Sequence, residues 1–458
     1  MNKSYDAIVI GTGQAGPFIA IKMAKAGRKV AIIERGRFGG TCVNTGCIPT
    51  KTLVASARAA YVARRAAEFG VNVGEVSVDM KAVKARKDCI QRPSQEGAES
   101  RLRAEPNIDV YKGQARFESA KVVAVGDGRL TAEQIFINVG GRAIVPPMPG
   151  LDQITYYTNS SVMGVDFLPE HLIVVGGSYI GLEFGQMYRR FGSKVTILQR
   201  ASRLVPREDE DISDAIRGIV EKEGIAVRTN ATCISFEKRG DRILAGVDCT
   251  ENPEAAEGTH VLLAVGRKPN TDDLGLDKAG IQQDENGYIA VDDELRTNVE
   301  GIWALGDCNG RGGFTHTSYN DFEIVAANLM DNDKRRVSDR IPAYNLYIDP
   351  PLGHAGMSET QVRKSGRRAL LGKYPMSSVG RAKEKSEDQG FMKVMVDADT
   401  KQILGATILG VGGDEIIHSI LDVMYAKAPY TVISRAMHIH PTVSELIPTM
   451  LQDLKPIT

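Results

Sequence analysis

The sequence predicts an α/β protein built on two similar strand–glycine turn–helix–strand units, each the start of a doubly wound parallel sheet, with an α+β domain at the C-terminal end. Three observations carry this expectation. An apolar strand at residues 5–10 runs into Gly11-Thr-Gly13-Gln-Ala-Gly16, a helix to about residue 26, and a second strand at 29–33 that ends at Glu34. The pattern returns at residues 171–175, followed by Gly176-Gly177-Ser178-Tyr179-Ile180-Gly181, a helix to about residue 191 and a strand at 194–198. Beyond residue 343 the chain alternates strand-like runs (390–396 and 403–409) with a helical one (415–427) and carries no further glycine motif.

A glycine triplet alone is a weak signal, but two triplets each set between a strand and a helix in a unit of about 30 residues are a strong one. The glycines let the backbone turn tightly and approach a pyrophosphate closely. The helix N-terminus then presents free N–H groups and a positive partial charge to the phosphates. Pro17 sits near the helix start, where a missing N–H costs little. Both units are therefore expected to be Rossmann-like dinucleotide sites, with Gly11, Gly13 and Gly16 in the first and Gly176, Gly177, Tyr179, Ile180 and Gly181 in the second. The alternative for each is a tight turn without a ligand.

The residue ending the second strand separates the two sites. Glu34 lies 23 residues after Gly11, and a carboxylate there accepts hydrogen bonds from adenosine ribose hydroxyls. The corresponding residue after Gly176 is the uncharged Gln199, followed by Arg200, Arg203 and Arg207. A carboxylate would repel a 2′-phosphate, whereas arginine pairs with it. The second site is thus expected to take NADPH in preference to NADH, the alternative being that these arginines form a solvated face.

Length and composition set the frame. The chain has 458 residues, enough for about three domains. Pro/Gly-rich stretches at 139–150 and 265–270, and Ile341-Pro342 after a charged run, read as boundaries. They divide the chain into 1–150, 151–272, 273–343 and 344–458, with a helical region at about 54–101. Lysine plus arginine equals aspartate plus glutamate, 57 against 57, so nothing points to nucleic acid or an anionic membrane as partner. No apolar run approaches the ~20 residues of a membrane helix, and the N-terminus lacks a signal-peptide pattern. The expected location is cytoplasmic.

Six cysteines (42, 47, 89, 233, 249 and 308) are too few for a disulfide scaffold in so long a chain. Only Cys42 and Cys47 are close in sequence. In a reducing compartment such a pair is catalytic or metal-binding more often than structural. A buried pair of free thiols is the remaining alternative, and no metal site is assigned. If the segment opens a helix, the N-terminus lowers a thiol pKa below its usual ~8.5, and Lys51 adds a cation.

The run Gly39-Gly40-Thr41-Cys42-Val-Asn-Thr-Gly-Cys47-Ile-Pro-Thr-Lys51 resembles the active-site signature of class I pyridine nucleotide–disulfide oxidoreductases, the family of glutathione reductase, dihydrolipoamide dehydrogenase and mercuric reductase. The resemblance covers nearly the whole chain. Residues 297–307 look like the family's second FAD segment, 265–270 like its hinge motif, and 438–445 like its C-terminal acid–base segment. The resemblance implies FAD held by the first glycine turn together with Glu34, Gly40, Thr41, Lys51, Gly141 and Asp307. It implies NADPH on the second turn with Arg200, Arg203 and Gly266. Tyr179 matches a tyrosine that shields the flavin until nicotinamide arrives, and Lys51 and Glu183 match a pair beside the flavin. Cys47 would take electrons from the flavin and Cys42 would meet the acceptor. His440, oriented by Glu445, would move the proton across the interface of a homodimer, which makes the C-terminal domain a dimerisation domain. His438 reads as a surface histidine, and His316, His354 and His418 receive no role.

The acceptor stays open between a disulfide, a metal ion such as Hg(II) or Cu(II), and an oxidant. Thr41 to Lys51, Gln199-Arg200 and Gly306-Asp307-Cys308 look most like mercuric reductases, yet there is no N-terminal Cys-x-x-Cys domain and no cysteine pair in the last eight residues. Cys-Ile-Pro-Thr-Lys-Thr-Leu and Asn320-Asp-Phe-Glu-Ile-Val resemble reactive-chlorine-resistance flavoproteins, a branch tied to copper or oxidant defence. Two further readings stand beside this one: a diaphorase or oxidase acting from the flavin alone, and a dihydrolipoamide-dehydrogenase-like subunit of a multienzyme complex.

Overall fold

The computed structural model describes residues 2–247 and 255–457; Cys249 lies outside them. Strand Asn2–Ile10 pairs in parallel with Val30–Glu34 on one side and Gly128–Ile137 on the other, and Val30–Glu34 pairs with Ile108–Lys112. Ala7 to Ile10 are buried on both faces, as expected of a parallel sheet covered on both sides. The strand starts three residues earlier than its apolar run suggested. Exposed Asn2 to Ser4 pair with Arg129 to Thr131, an extension that hydrophobicity does not mark.

The second unit forms its own parallel sheet, with His171–Val175 at its centre between Lys194–Leu198 and His260–Leu263. Here the expected bounds hold closely. The helix is Tyr179–Phe191, ended by Gly192 at φ 129°, and the next strand is Lys194–Leu198. After this sheet the chain returns to the first one, where Ile302–Ala304 pairs with Gly128–Ile137. The two Pro/Gly-rich crossings meet each other: Gly141–Ala143 and Arg267–Pro269 form an antiparallel ribbon.

The helical region at 54–101 is two helices, Cys47–Arg64 and Met80–Arg103. The break follows from Gly70 at φ 74° and the glycine- and β-branched-rich residues after it. Asp79 restarts the helix by accepting hydrogen bonds from Lys81 N and Ala82 N. The C-terminal part is a six-stranded antiparallel sheet from Ala343–Leu346 to Lys455–Pro456, with helix Gly413–Tyr425 against it. No helix among the described residues is long and apolar enough to cross a membrane.

Candidate active site

A single cavity of about 1010 Å³ runs from the first glycine turn, past the cysteine segment, to the start of the second unit. Its backbone floor is built to exclude side chains. A Cβ on Gly11 (φ +100°) would stand 2.3 Å from Asn138 O, one on Gly16 2.3 Å from Gly11 O, and one on Gly40 2.8 Å from Gly13 Cα. Asn138 stitches this floor together, accepting from Gly16 N at 3.0 Å and donating to Leu305 O at 2.8 Å. Glu34 lines the cavity, where its carboxylate accepts from Thr12 N (3.0 Å), Thr12 Oγ1 (2.6 Å) and Gly36 N (2.8 Å).

Asp307 reaches the same cavity. Burial pushes its carboxyl pKa up, and its one ion-pair partner among the described residues is Arg267, 3.7 Å away. A half-buried carboxylate with so little compensation is suited to hydroxyl or N–H donors. The sugar-alcohol chain of a flavin is such a donor, and the glycine floor suits a pyrophosphate, so these residues fit FAD. Gly141 is placed differently from the expectation. It lies in the two-stranded ribbon, where a Cβ would meet Lys268 O at 2.9 Å, and Gly140 lines the cavity in its place. Gly266, in the same crossing at φ 129°, does not line this cavity either.

The cysteines stand in the middle. Cys42 lies in helix Gly40–Asn44 and Cys47 opens helix Cys47–Arg64. Both are free thiols whose side chains hydrogen-bond to each other, and Cys47 Sγ lies 3.1 Å from Thr315 Oγ1. The exposed surface of Cys47 opens into the cavity, where the surrounding protein still withholds much of the solvent. The hydrogen bond from Cys42 lowers the Cys47 pKa to about 6 against the effect of burial, helped by Thr315 and Lys51. The same pairing pushes the Cys42 pKa up. Lys51 is held by both oxygens of buried Glu183 (3.0 and 2.8 Å) and lies over the Tyr347 ring at 4.5 Å. The reduced enzyme should therefore carry one thiolate at neutral pH. Its ultraviolet thiolate absorbance should titrate with a midpoint near 6, and Lys51→Met should move that midpoint upward; a midpoint at the ordinary ~8.5 would contradict this geometry.

In the second unit a Cβ on Gly181 would come 1.8 Å from Gly176 O. Gln199 is turned inward: it accepts from Gly177 N at 3.0 Å and donates to Arg203 O at 3.2 Å. The side chains of Arg200, Arg203 and Arg207 form no ion pair among the described residues. Tyr179 lines the cavity beside Ile180 and Glu183. His440 does not line it. Its side chain is 81% exposed, with Nδ1 3.0 Å from Glu445 Oε2.

Several residues escaped the sequence reading. His438 is half-buried, with Nδ1 3.0 Å from Ser444 O, so it braces the loop that carries His440 and Glu445 instead of lying free on the surface. His316, His354 and His418, given no role, all line the cavity, as do Asn138, Thr315 and Tyr344. None of these sits in a local motif. Cys308 is fully buried, with its pKa pushed up to about 12, Cys89 is an exposed thiol, and Cys233 is disulfide-bonded, a bond the sequence reading did not anticipate.

Two nucleotide units flanking a dithiol define a flavin-linked dithiol oxidoreductase as the class. Comparison with known proteins agrees. The family model "pyridine nucleotide-disulphide oxidoreductase" matches residues 5–321, and that family's dimerisation domain matches 342–451. The chain belongs to the pyridine nucleotide–disulfide oxidoreductases, a family of enzymes that use FAD and NAD(P)H. It is 37% identical to the probable pyridine nucleotide-disulfide oxidoreductase RclA of Escherichia coli (strain K12), over 97% of this chain and 98% of that one. It is 32% identical to a mercuric reductase of Streptomyces lividans (97% and 94% covered). It is 30% identical to a dihydrolipoyl dehydrogenase of Chlamydia muridarum (97% and 96% covered). A solved structure, the Cu(II) complex of the HOCl-induced flavoprotein disulfide reductase RclA from Escherichia coli, superposes with a TM-score of 0.90 at 35% identity, covering 99% of each chain.

Proposed function

We propose that this chain moves reducing equivalents from NADPH to the Cys42–Cys47 pair and from there to a soft metal ion, a disulfide or an oxidant, working as a homodimer. The observation that carries the reading is the asymmetry of the pair: Cys47 is biased toward thiolate beside Lys51 and Thr315, while Cys42 is biased toward thiol. A bound flavin supplies the hydride-accepting and electron-relaying chemistry that the side chains lack. Gly11, Gly13, Gly16, Gly40, Thr41, Glu34, Lys51 and Asp307 hold it. Lys51, fixed by Glu183, keeps a positive charge next to Cys47. Cys42, with its raised pKa, needs a base to become the attacking sulfur. His440 contributed by a second copy supplies that base, and Glu445 fixes its tautomer through Nδ1, leaving the other ring nitrogen for Cys42. Met437 and Ile439, 97% and 80% exposed beside His440, suit burial against that second copy. Arg200 and Arg203 supply the charge for a 2′-phosphate. The four-segment division and the cytoplasmic location belong to the same reading.

Steady-state oxidation of NADPH and NADH against Hg(II), Cu(II), oxidised glutathione, lipoamide and oxygen tests it. At least one thiol-reactive acceptor should outrun oxygen. His440→Gln should lower that rate by roughly 10²–10⁴-fold, and Arg200→Ala/Arg203→Ala should erase the preference for NADPH. Oxygen as the best acceptor, with no effect at position 440, would favour a flavin-only oxidase.

A further inference from the structure

Glu208 lies outside every motif, yet it is 3% exposed and sits where two domains and the cavity wall meet. Its Oε1 accepts two hydroxyls, Tyr179 at 2.6 Å and Tyr344 at 2.9 Å. Burial and this carboxylate hold both tyrosines protonated, so both remain donors. The Tyr179 ring stands edge-on to Tyr344 (5.8 Å, 85°), which is itself stacked on His354 (4.7 Å, 22°) and Phe314 (5.8 Å, 6°). The aromatic wall limits sideways movement of Tyr179, and Glu208 fixes its hydroxyl end.

The backbone around Glu208 is arranged to aim it. Val205, fully buried and β-branched, is held at φ +37°, a strained value for such a residue. Its N–H donates to Gly177 O at 2.9 Å, and Glu208 N donates back to Val205 O at 2.8 Å, closing a tight turn anchored to the second glycine loop. On the other side, Asp209 accepts from Glu359 N (2.9 Å), Thr360 N (3.0 Å) and Lys393 Nζ (2.9 Å). Glu208 is therefore held firmly from both directions.

We propose that Glu208 is a positioning residue that latches Tyr179 across the cavity and so sets how readily a nicotinamide ring displaces that tyrosine. This rests on the reading above that nicotinamide enters at Tyr179. The latch opposes nucleotide entry, and releasing it makes entry easier. Glu208 acts on the gate through the Tyr179 hydroxyl, with Tyr344 bracing the same carboxylate oxygen, so removing either end of the Tyr179 bond gives the same phenotype.

The test uses the flavin-loaded enzyme and oxidised NADP⁺, which binds without turnover. E208Q should tighten the Kd for NADP⁺ by roughly three- to tenfold, the scale of weakening one charge-assisted hydrogen bond, and should change flavin fluorescence in the resting enzyme. Y179F should do the same, the E208Q/Y179F double variant should add nothing further, and Y344F should give a smaller shift in the same direction. Additive effects of E208Q and Y179F, or an E208Q enzyme with wild-type Kd and fluorescence, overturn the latch. Y179A separates the two levels. If it shifts Kd and fluorescence while E208Q does not, only the latch falls; if it shifts neither, the gate assignment fails and the latch with it.

Discussion

Cys42→Ser is expected to lower turnover with the true acceptor by roughly 10⁴-fold or more, the scale seen when a nucleophile acting within a catalytic unit is removed. Flavin content should be unchanged. Cys42 lines the cavity in the helix Gly40–Asn44, but on the proposed reading the glycine floor, Glu34 and Asp307 would hold the cofactor without its sulfur. Serine keeps the size and loses the ability to form a disulfide with Cys47, so electrons reaching the pair have no route onward. Cys89→Ser is the matched control: Cys89 is an exposed thiol on the helix Met80–Arg103 that does not line the cavity, and its loss should leave the rate alone. Acceptor kinetics on the two variants, with flavin quantified by absorbance, checks both statements. A Cys42→Ser enzyme with full activity would remove the dithiol from the mechanism.

Lys393→Met is expected to be strongly destabilising, at about 3–5 kcal/mol for stranding buried charge. Lys393 is fully buried in strand Phe391–Asp397, with Nζ 2.9 Å from Asp209, 2.8 Å from Asp211 and 3.3 Å from Glu359. It ties the C-terminal sheet to the helix Glu210–Lys222 of the second nucleotide unit. Burial works against the charge on Asp209, but hydrogen bonds from Lys393 and Thr360 outweigh it and hold its pKa well below the ordinary value. Asp211 is lowered in the same way. Depressed carboxyl pKa values add stability above the unfolded value of ~3.9 that disappears as pH falls toward the folded values. The wild type should therefore lose stability below about pH 4, and Lys393→Met should lose much of that pH dependence. Asp211 keeps a second partner in Lys373 at 2.8 Å, which tempers the loss. Lys3→Met, which breaks an exposed pair with Asp109 that solvent already screens, should cost little by comparison. Chemical denaturation across a pH series measures all three effects.

The parts of the fold that were legible in the sequence are those whose signal is local. The bounds Tyr179–Phe191 and Lys194–Leu198 could be read because Gly176 and Gly181 mark where the helix must begin close to the strand, and Gly192 marks where it ends. The cysteine segment was legible for the same reason: its chemistry sits within a few residues. The strand extension at Asn2 to Ser4 was missed because its residues are exposed and its pairing partner is more than a hundred residues away. The rest of the cavity wall was hidden for the related reason that it is assembled over long separations. Asn138 reaches Gly16 across 122 residues, Cys47 meets Thr315 across 268, and Tyr344 meets Glu208 across 136. No periodicity or spacing reports such pairs. Gly140 and Gly141 show the limit of a local motif: the first lines this cavity and the second an adjoining one beside Arg267 and Asp307.

At the centre of the proposed mechanism is a sulfur pair that opens and closes under the control of a reduced nucleotide. The most direct measurement is differential alkylation of the flavin-loaded enzyme, read by peptide mass, before and after one equivalent of NADPH is added without oxygen. The oxidised enzyme should yield a Cys42–Cys47 linked peptide that resists alkylation, and NADPH should convert it to two alkylated cysteines while Cys89 and Cys308 are unaltered. Two free thiols in both samples, or a linked pair that NADPH leaves intact, would contradict it.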